Sequence, residues 1–359
     1  MKDVFLSVST EKGLFLFSSD LERNNWEMRG PLLKGWSVSD TLFDFRKKPR
    51  IYAAVNSPFY GPGIHLSEDL GDSWREIKNP PQYPQDSPYE IESIWTIVPG
   101  TRDQPDTFYT GVDPAGIFVS HDCGEHWELL DGLSGHPSRE EWMGGKGGLC
   151  CHSVLVDPQN PARLWAGISA VGVFRSDDDG KTWSTKNEGL EIVIEGKTHK
   201  EIGSCVHRLI LDPTNSEKLY QQNHRGVFRS NDAGDTWQRI ESGLPHKFGF
   251  PMVINPNDPG TLFIVPQESD EYRVIPDGNL RVYRSVDSGD TWQALTNGLP
   301  QQSFTGVLRQ AMTVDGLDRC GVYFGTISGQ VHYSTNNGDQ WQTLPCQLPR
   351  INAVSVFIK

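Results

Sequence analysis

At 359 residues, with 36% hydrophobic residues, 36 glycines, 24 prolines and 11 tryptophans, the chain is long for an ordinary domain but normal for a closed β architecture of short strands and many turns. A net charge of −13 leaves no basic patch for nucleic acid or an anionic membrane, and no apolar run approaches the length of a membrane span. The N-terminal MKDVFLSVST lacks an apolar h-region and a small-residue cleavage site, and the six cysteines form no CxxC pair, so a cytoplasmic protein with reduced thiols is expected.

In chain order, VFLSV (4–8) and GLFLFS (13–18) read as two strands, followed by a degraded turn, SSDLERNNW (18–26). TLFDFRKKPRIYAAV (41–55) is strand, turn, strand, and leads to the turn SEDLGDSW (67–74). GIFVS (116–120) leads into SHDCGEHW (120–127). SVLVDPQNPARLWAGI (153–168) and GVFRS (172–176) precede SDDDGKTW (176–183); RLILDPTNSEKLYQQN (208–223) and GVFRS (226–230) precede SNDAGDTW (230–237). MVINPNDPGTLFIV (252–265) and RVYRS (281–285) precede SVDSGDTW (285–292), and STNNGDQW (334–341) is the last turn before RINAVSVFI (350–358). The turn serines are spaced 53, 56, 54, 55 and 49 residues apart, a repeat of four strands, A to D, per unit.

Within each S-x-[D/N]-x-G-x-x-W turn, Ser and Asp can bond turn amides, Gly allows positive φ, and Trp can pack on a neighbouring unit. The turns lack the ligand series and final Glu of an EF-hand loop, so they read as structural hairpins. Four-stranded units repeated around an axis make a β-propeller, here all-β with seven blades over residues 1–359. VFLSV and GLFLFS then read as strands B and C of blade 1, and RINAVSVFI supplies its strand A, closing the ring.

These turns resemble the Asp-box, or bacterial neuraminidase repeat, and the whole chain resembles single-domain Asp-box propellers of sialidase-like or glycosyl hydrolase-like type. The same repeat occurs in sortilin-type receptors, photosystem assembly factors and xyloglucan hydrolases. The resemblance implies the fold and a carbohydrate-active role. It does not extend to sialidase chemistry: the nearest string to an Arg-Ile-Pro element is PRIYAAV (49–55), a strand B, and no arginine triad can be assembled.

Propeller geometry puts the D-to-A and B-to-C loops on one face, and those loops are the longer and chemically richer set, which makes that face the place for a ligand. His152 and His207 each stand five residues before a turn Asp, near the start of an inner strand, and His224 lies in the B-to-C loop beside His207. The three could hold a divalent metal ion or serve proton transfer; as core residues they would donate to neighbouring carbonyls. Asp40, Asp113 and Glu268 are the favoured carboxylates for general acid, base or nucleophile in glycoside cleavage, with His152 and His207 as further catalytic candidates. Trp36, Trp95, Trp142 and Phe250 suit the faces of sugar rings, and Arg225 and Arg309 suit an anionic group. The expected ligand is a small molecule or oligosaccharide. The alternatives are a metal-dependent hydrolase or lyase and a non-catalytic binding or assembly scaffold.

Overall fold

A computed structural model describes residues 3–190, 192–194, 197–199 and 201–359. Among them the strands form seven four-stranded antiparallel sheets, each running outward from an inner strand. The inner strands of blades 2 to 7 are Ser37–Asp44, Ser93–Pro99, Cys151–Val156, Val206–Asp212, Gly249–Ile254 and Met312–Val314. Blade 1 takes Ile351–Ile358 as its inner strand, paired with Val4–Thr10 from Val4 opposite Ile358 to Thr10 opposite Ile351. The inner strands touch in cyclic order, 1 to 7 and back to 1, so the ring is closed by the strand the sequence assigns to that task. A short hairpin, Ile192–Ile194 with Lys197–His199, stands outside the blades.

The middle strands are buried on both faces against neighbouring blades, so they are mostly buried rather than alternating: in blade 4, Leu164, Trp165, Ala166 and Ile168 are all fully buried. The serine and the aspartate or asparagine of the repeated turns cap the outer edge by one scheme, while the tryptophan's partner varies. In blade 5, Ser230 Oγ accepts from Gly234 N at 2.8 Å and donates to Asp232 Oδ1 at 2.7 Å. Asp232 in turn accepts from Thr236 N and Thr236 Oγ1 at 2.8 and 2.6 Å. Trp237 Nε1 then donates to the Lys186 carbonyl of blade 4 at 2.8 Å.

The feature that shapes the mouth of the ring is a set of β-bulges. Register shifts skip one residue of the inner strand at Ser39, Trp95, His152, His207 and Asn352, and two, Phe250 and Pro251, in blade 6. A bulge releases its residue from the ladder and re-aims the side chain. Four of the released side chains bond the carbonyl just before the bulge of the next blade. Asn352 Nδ2 donates to Val38 O at 2.9 Å and Ser39 Oγ to Ile94 O at 2.6 Å. His152 Nε2 donates to Val206 O at 2.8 Å and His207 Nδ1 to Gly249 O at 2.6 Å. The belt lapses where the bulged residue is Trp95 or Phe250, which have no group able to continue it: Trp95 Nε1 is without a partner and Phe250 has no donor.

Candidate ligand site at the axial mouth

The lapse in the belt coincides with a concavity at the axis. A cavity of about 530 Å³ opens at the axis, bounded by Ser39, Trp95, Phe250, Gln310 and Asn352. A second, of about 220 Å³, runs from it between blades 4, 5 and 6, lined by Ser169, Cys205, His207, Asn223, His224 and Asp270. The two share Lys146, Gly147, Phe250, Arg273 and Arg309, and so form one cleft.

Arg309 stands at the junction. Its guanidinium lies 5.6 Å from the Trp95 ring centroid and 5.0 Å from that of Phe250, a cation–π clasp supplied by the two residues that leave the belt. Nη2 is 3.4 Å from Ser169 Oγ, and Nε is buried with no hydrogen-bond partner. Among the described residues no ion pair engages it, whereas the arginines of the outer turns are paired. Arg273 joins it, stacked 5.7 Å from Phe250 with Nε donating to the Asp270 carbonyl at 3.0 Å. Lys146 and Arg225 are on the exposed rim of the same cleft. A chain of net charge −13 thus gathers cations here.

His207 is buried among aromatic rings, 4.6 Å from Phe250 and 5.1 Å from Phe248, with His224 at 5.6 Å. Burial, and then the charge of Arg309, press its pKa well below the ordinary value, so the ring is neutral. Because Nδ1 donates to Gly249, Nε2 carries the lone pair. His224 Nε2 is 3.4 Å from Asp270 Oδ2, and burial lowers its pKa as well.

His152, at the matching register, is elsewhere in function. It is fully buried, its Nδ1 is 3.0 Å from Ser153 Oγ and its Nε2 bonds Val206 O, so both nitrogens are committed to the scaffold. The third residue beside His207 and His224 is instead Cys205. Asp40 is buried below the mouth, accepting from Thr96 Oγ1, Ile97 N and Thr41 N at 3.0, 3.0 and 2.9 Å. Burial raises its pKa and the Arg208 charge opposes the rise. Glu268 is exposed and lines neither cavity. Trp36 is half-buried against Tyr60 and His65, and Trp142 is buried against Phe174 with Nε1 on Ser138 Oγ at 2.9 Å; both pack the scaffold rather than face the cleft.

Asp113 is buried under the 144–149 loop that edges the cleft. A Cβ on Gly148 (φ +90) would sit 2.0 Å from Asp113 Oδ2, so only glycine lets this loop close over the carboxylate. Burial, with Glu92 nearby, pushes its pKa up to about 6. Of the sequence's candidates the cleft therefore collects His207, His224, Trp95, Phe250, Arg225 and Arg309; Asp113 lines neither cavity and lies against Gly148 of the loop at its edge. The cleft adds Cys205, Lys146 and Arg273. Cys205 stands two residues before His207, but Cys150 stands likewise before His152, so the spacing alone does not single it out. Arg273 and Lys146 sit in irregular loops with no comparable spacing.

A family model described as Sortilin-Vps10 (sortilin, neurotensin receptor 3) matches residues 172–305. Xyloglucanase Xgh74A of Acetivibrio thermocellus is 29% identical over 268 residues, covering 66% of this chain and 30% of the relative. A xyloglucanase of Paenibacillus sp is 26% identical over 294 residues, covering 71% and 26%. The chain thus spans between a quarter and a third of the length of these curated relatives. Among solved structures, an ancestral GH74 enzyme superimposes with a TM-score of 0.58 at 18% identity, over 85% of this chain and 38% of that one. A putative 6-phosphogluconolactonase from Bacteroides fragilis gives 0.60 at 12% identity, over 99% and 98%. At these identities the structural likeness is one of fold.

Proposed function

We propose that the chain is a carbohydrate-active propeller of glycoside hydrolase type that takes an oligosaccharide across the axial mouth and holds an anionic substituent of it, a carboxylate, at Arg309. The observation that carries this reading is the clasp of Trp95, Arg309 and Phe250: an uncompensated guanidinium between two aromatic rings in a cavity of about 530 Å³. Aromatic faces bury the C–H faces of sugar rings, and a planar guanidinium matches a carboxylate in two parallel hydrogen bonds. The xyloglucanase relatives support a glycan as the ligand class. Arg309, Arg273 and Arg225, which the sequence alone does not bring together, all line the smaller cavity.

Asp113 is the proton donor in this reading. Its pKa of about 6 leaves it part protonated near neutrality, as a general acid needs, beneath the Gly148 loop at the edge of the cleft. The concave, cationic cleft speaks for ligand chemistry over a flat assembly surface.

The test is calorimetric binding of two oligosaccharide sets of equal length, neutral xyloglucan fragments and uronate-bearing fragments. Arg309→Met is expected to weaken the uronate set by about tenfold or more, the loss of one charge-assisted pair, and to leave the neutral set within about twofold. Trp95→Ala is expected to weaken both. Equal affinity of wild type and Arg309→Met for uronates would overturn the anionic assignment, and no binding of either set would overturn the glycan reading.

A further inference from the structure

We propose that Cys205, His207 and His224 form a binding site for a borderline divalent transition-metal cation of the zinc type, at the inner end of the smaller cavity. This inference is independent of the saccharide reading. One ligand atom from each residue lies within 4.8 Å of the others, the one such cluster among the described residues.

Three features of the scaffold prepare these atoms. First, the bulge in the blade 5 inner strand releases His207, and its Nδ1–H is spent on the Gly249 carbonyl at 2.6 Å, which fixes the ring and leaves Nε2 as a neutral donor atom. A ligating histidine whose other nitrogen is held by a carbonyl has the usual orientation of a metal-bound imidazole. Second, His224 stands edge-on to His207, with an interplanar angle of 78°, and its Nε2 is 3.4 Å from Asp270 Oδ2. With Nε2–H directed at that carboxylate, Nδ1 becomes the ligand. Third, Cys205 and His224 are tied to each other through the backbone, His224 N donating to Cys205 O at 2.9 Å, so the two ligands sit at a fixed separation on adjoining strand ends.

Two imidazoles and a thiolate suit a tetrahedral cation of intermediate softness and disfavour magnesium or calcium, which require oxygen ligands. Three protein ligands leave a fourth position, and the cavity of about 220 Å³ in front of them has room there for water or an oxygen of a bound molecule. Arg309 and Arg273 border the same cavity and oppose a dication. The Cys205 thiolate and the Asp270 carboxylate supply two negative charges against it. Binding therefore releases the thiol proton, and affinity rises with pH.

The experiment uses the full, untagged chain, stripped with chelator and dialysed. Cobalt(II) is titrated against its absorption spectrum and then displaced with zinc(II). The expected result is one equivalent of cobalt, with the visible bands of a tetrahedral ion and a near-ultraviolet thiolate-to-cobalt charge-transfer band, both abolished by zinc. Cys205→Ser should lose the charge-transfer band and weaken zinc by at least about tenfold, and His224→Gln should weaken zinc comparably. Cys346→Ser, in blade 7, should retain the full spectrum. His207→Ala removes a buried ring and serves only if its circular dichroism matches wild type. Absence of a stoichiometric site would overturn the proposal. So would a charge-transfer band that persists in Cys205→Ser, since another thiol would then be the ligand. Saccharide binding is measured separately on the stripped protein, so that loss of the metal site and loss of the glycan site are read independently.

Discussion

Asp113 and the turn aspartates show how one residue type takes opposite charges of duty in this molecule. Asp287 in the blade 6 turn is held below the usual carboxylate range, first by the Thr291 hydroxyl and then by the Thr291 amide. Such a group adds stability above its unfolded pKa, and the contribution disappears as pH falls through the folded value. Asp113 runs the other way. Burial raises it to about 6, so between its unfolded value of about 4 and 6 the folded chain binds more protons than the unfolded one, and stability falls as pH rises. The penalty is complete above pH 6 and absent below pH 4. Asp113→Asn keeps an acceptor for the Leu149 amide while removing the charge. It is therefore expected to stabilise the protein by about 1–2 kcal/mol at pH 7, with the gain shrinking through the window and gone near pH 4. Urea midpoints measured at pH 4, 5, 6 and 7 check this; a gain independent of pH would mean that Asp113 is ionised at all of them. If Asp113 is the proton donor proposed above, the same substitution is expected to abolish glycosidase activity, since the leaving oxygen would lack its proton.

At the scale of the element, the blade is held by chemistry repeated in register. Arg175, Arg229 and Arg284 are each the penultimate residue of a third strand and reach the turn of the next blade. There they pair with Asp235, Asp290 and Asp339 at 3.0, 3.0 and 2.7 Å and also donate to the Ala233, Ser288 and Asn337 carbonyls. Half-exposed ion pairs are worth little, so the carbonyl bond and the buried turn serine matter more. Ser230→Ala strips a hydroxyl that satisfies Gly234 N and positions Asp232, and is expected to cost about 1–3 kcal/mol. Its turn lies at the opposite end of the blade from the cleft, so ligand affinity should hold; thermal melts paired with calorimetry separate the two effects. These turns are also why the blades were legible in the sequence: Ser, Asp, Gly and Trp at fixed offsets are local chemistry, and strand and turn alternate with a period set by local geometry. The mouth was less legible. A bulge is an offset between two strands, absent from the apolar pattern of either, so nothing in CCHSVLVDP or SCVHRLILDP separates His152, sealed into the scaffold, from His207, which faces a cavity. Arg309, Trp95 and Phe250 come from three blades, and their stacking follows from ring closure rather than from any stretch of chain.

At the scale of the whole molecule, closure depends on one strand taken from the far end of the chain. Ile351–Ile358 completes blade 1 along the full length of Val4–Thr10, and its Phe357 stacks on Phe45 of blade 2 at 3.9 Å. Without it, the Val4–Thr10 strand, whose Leu6 and Val8 are fully buried, becomes a free apolar edge, and blade 2 loses its neighbour across the ring. Asn352 would go as well, and with it the belt bond to Val38. Deletion of residues 350–359 is therefore expected to abolish cooperative unfolding and to produce aggregates by size-exclusion chromatography. Because that outcome follows from the lost pairing and not from altered ends, a circular permutant provides the contrast. Lys359 N donates to Asp3 O at 2.7 Å, so a short linker can join the present ends without strain. Opening the chain between Gln85 and Asp86, both exposed in the connection from blade 2 to blade 3, cuts no ladder. The permutant keeps every strand of blade 1 and should unfold in a single transition as a monomer. If it aggregates like the deletion, the ring is held by something other than the pairing of Ile351–Ile358 with Val4–Thr10.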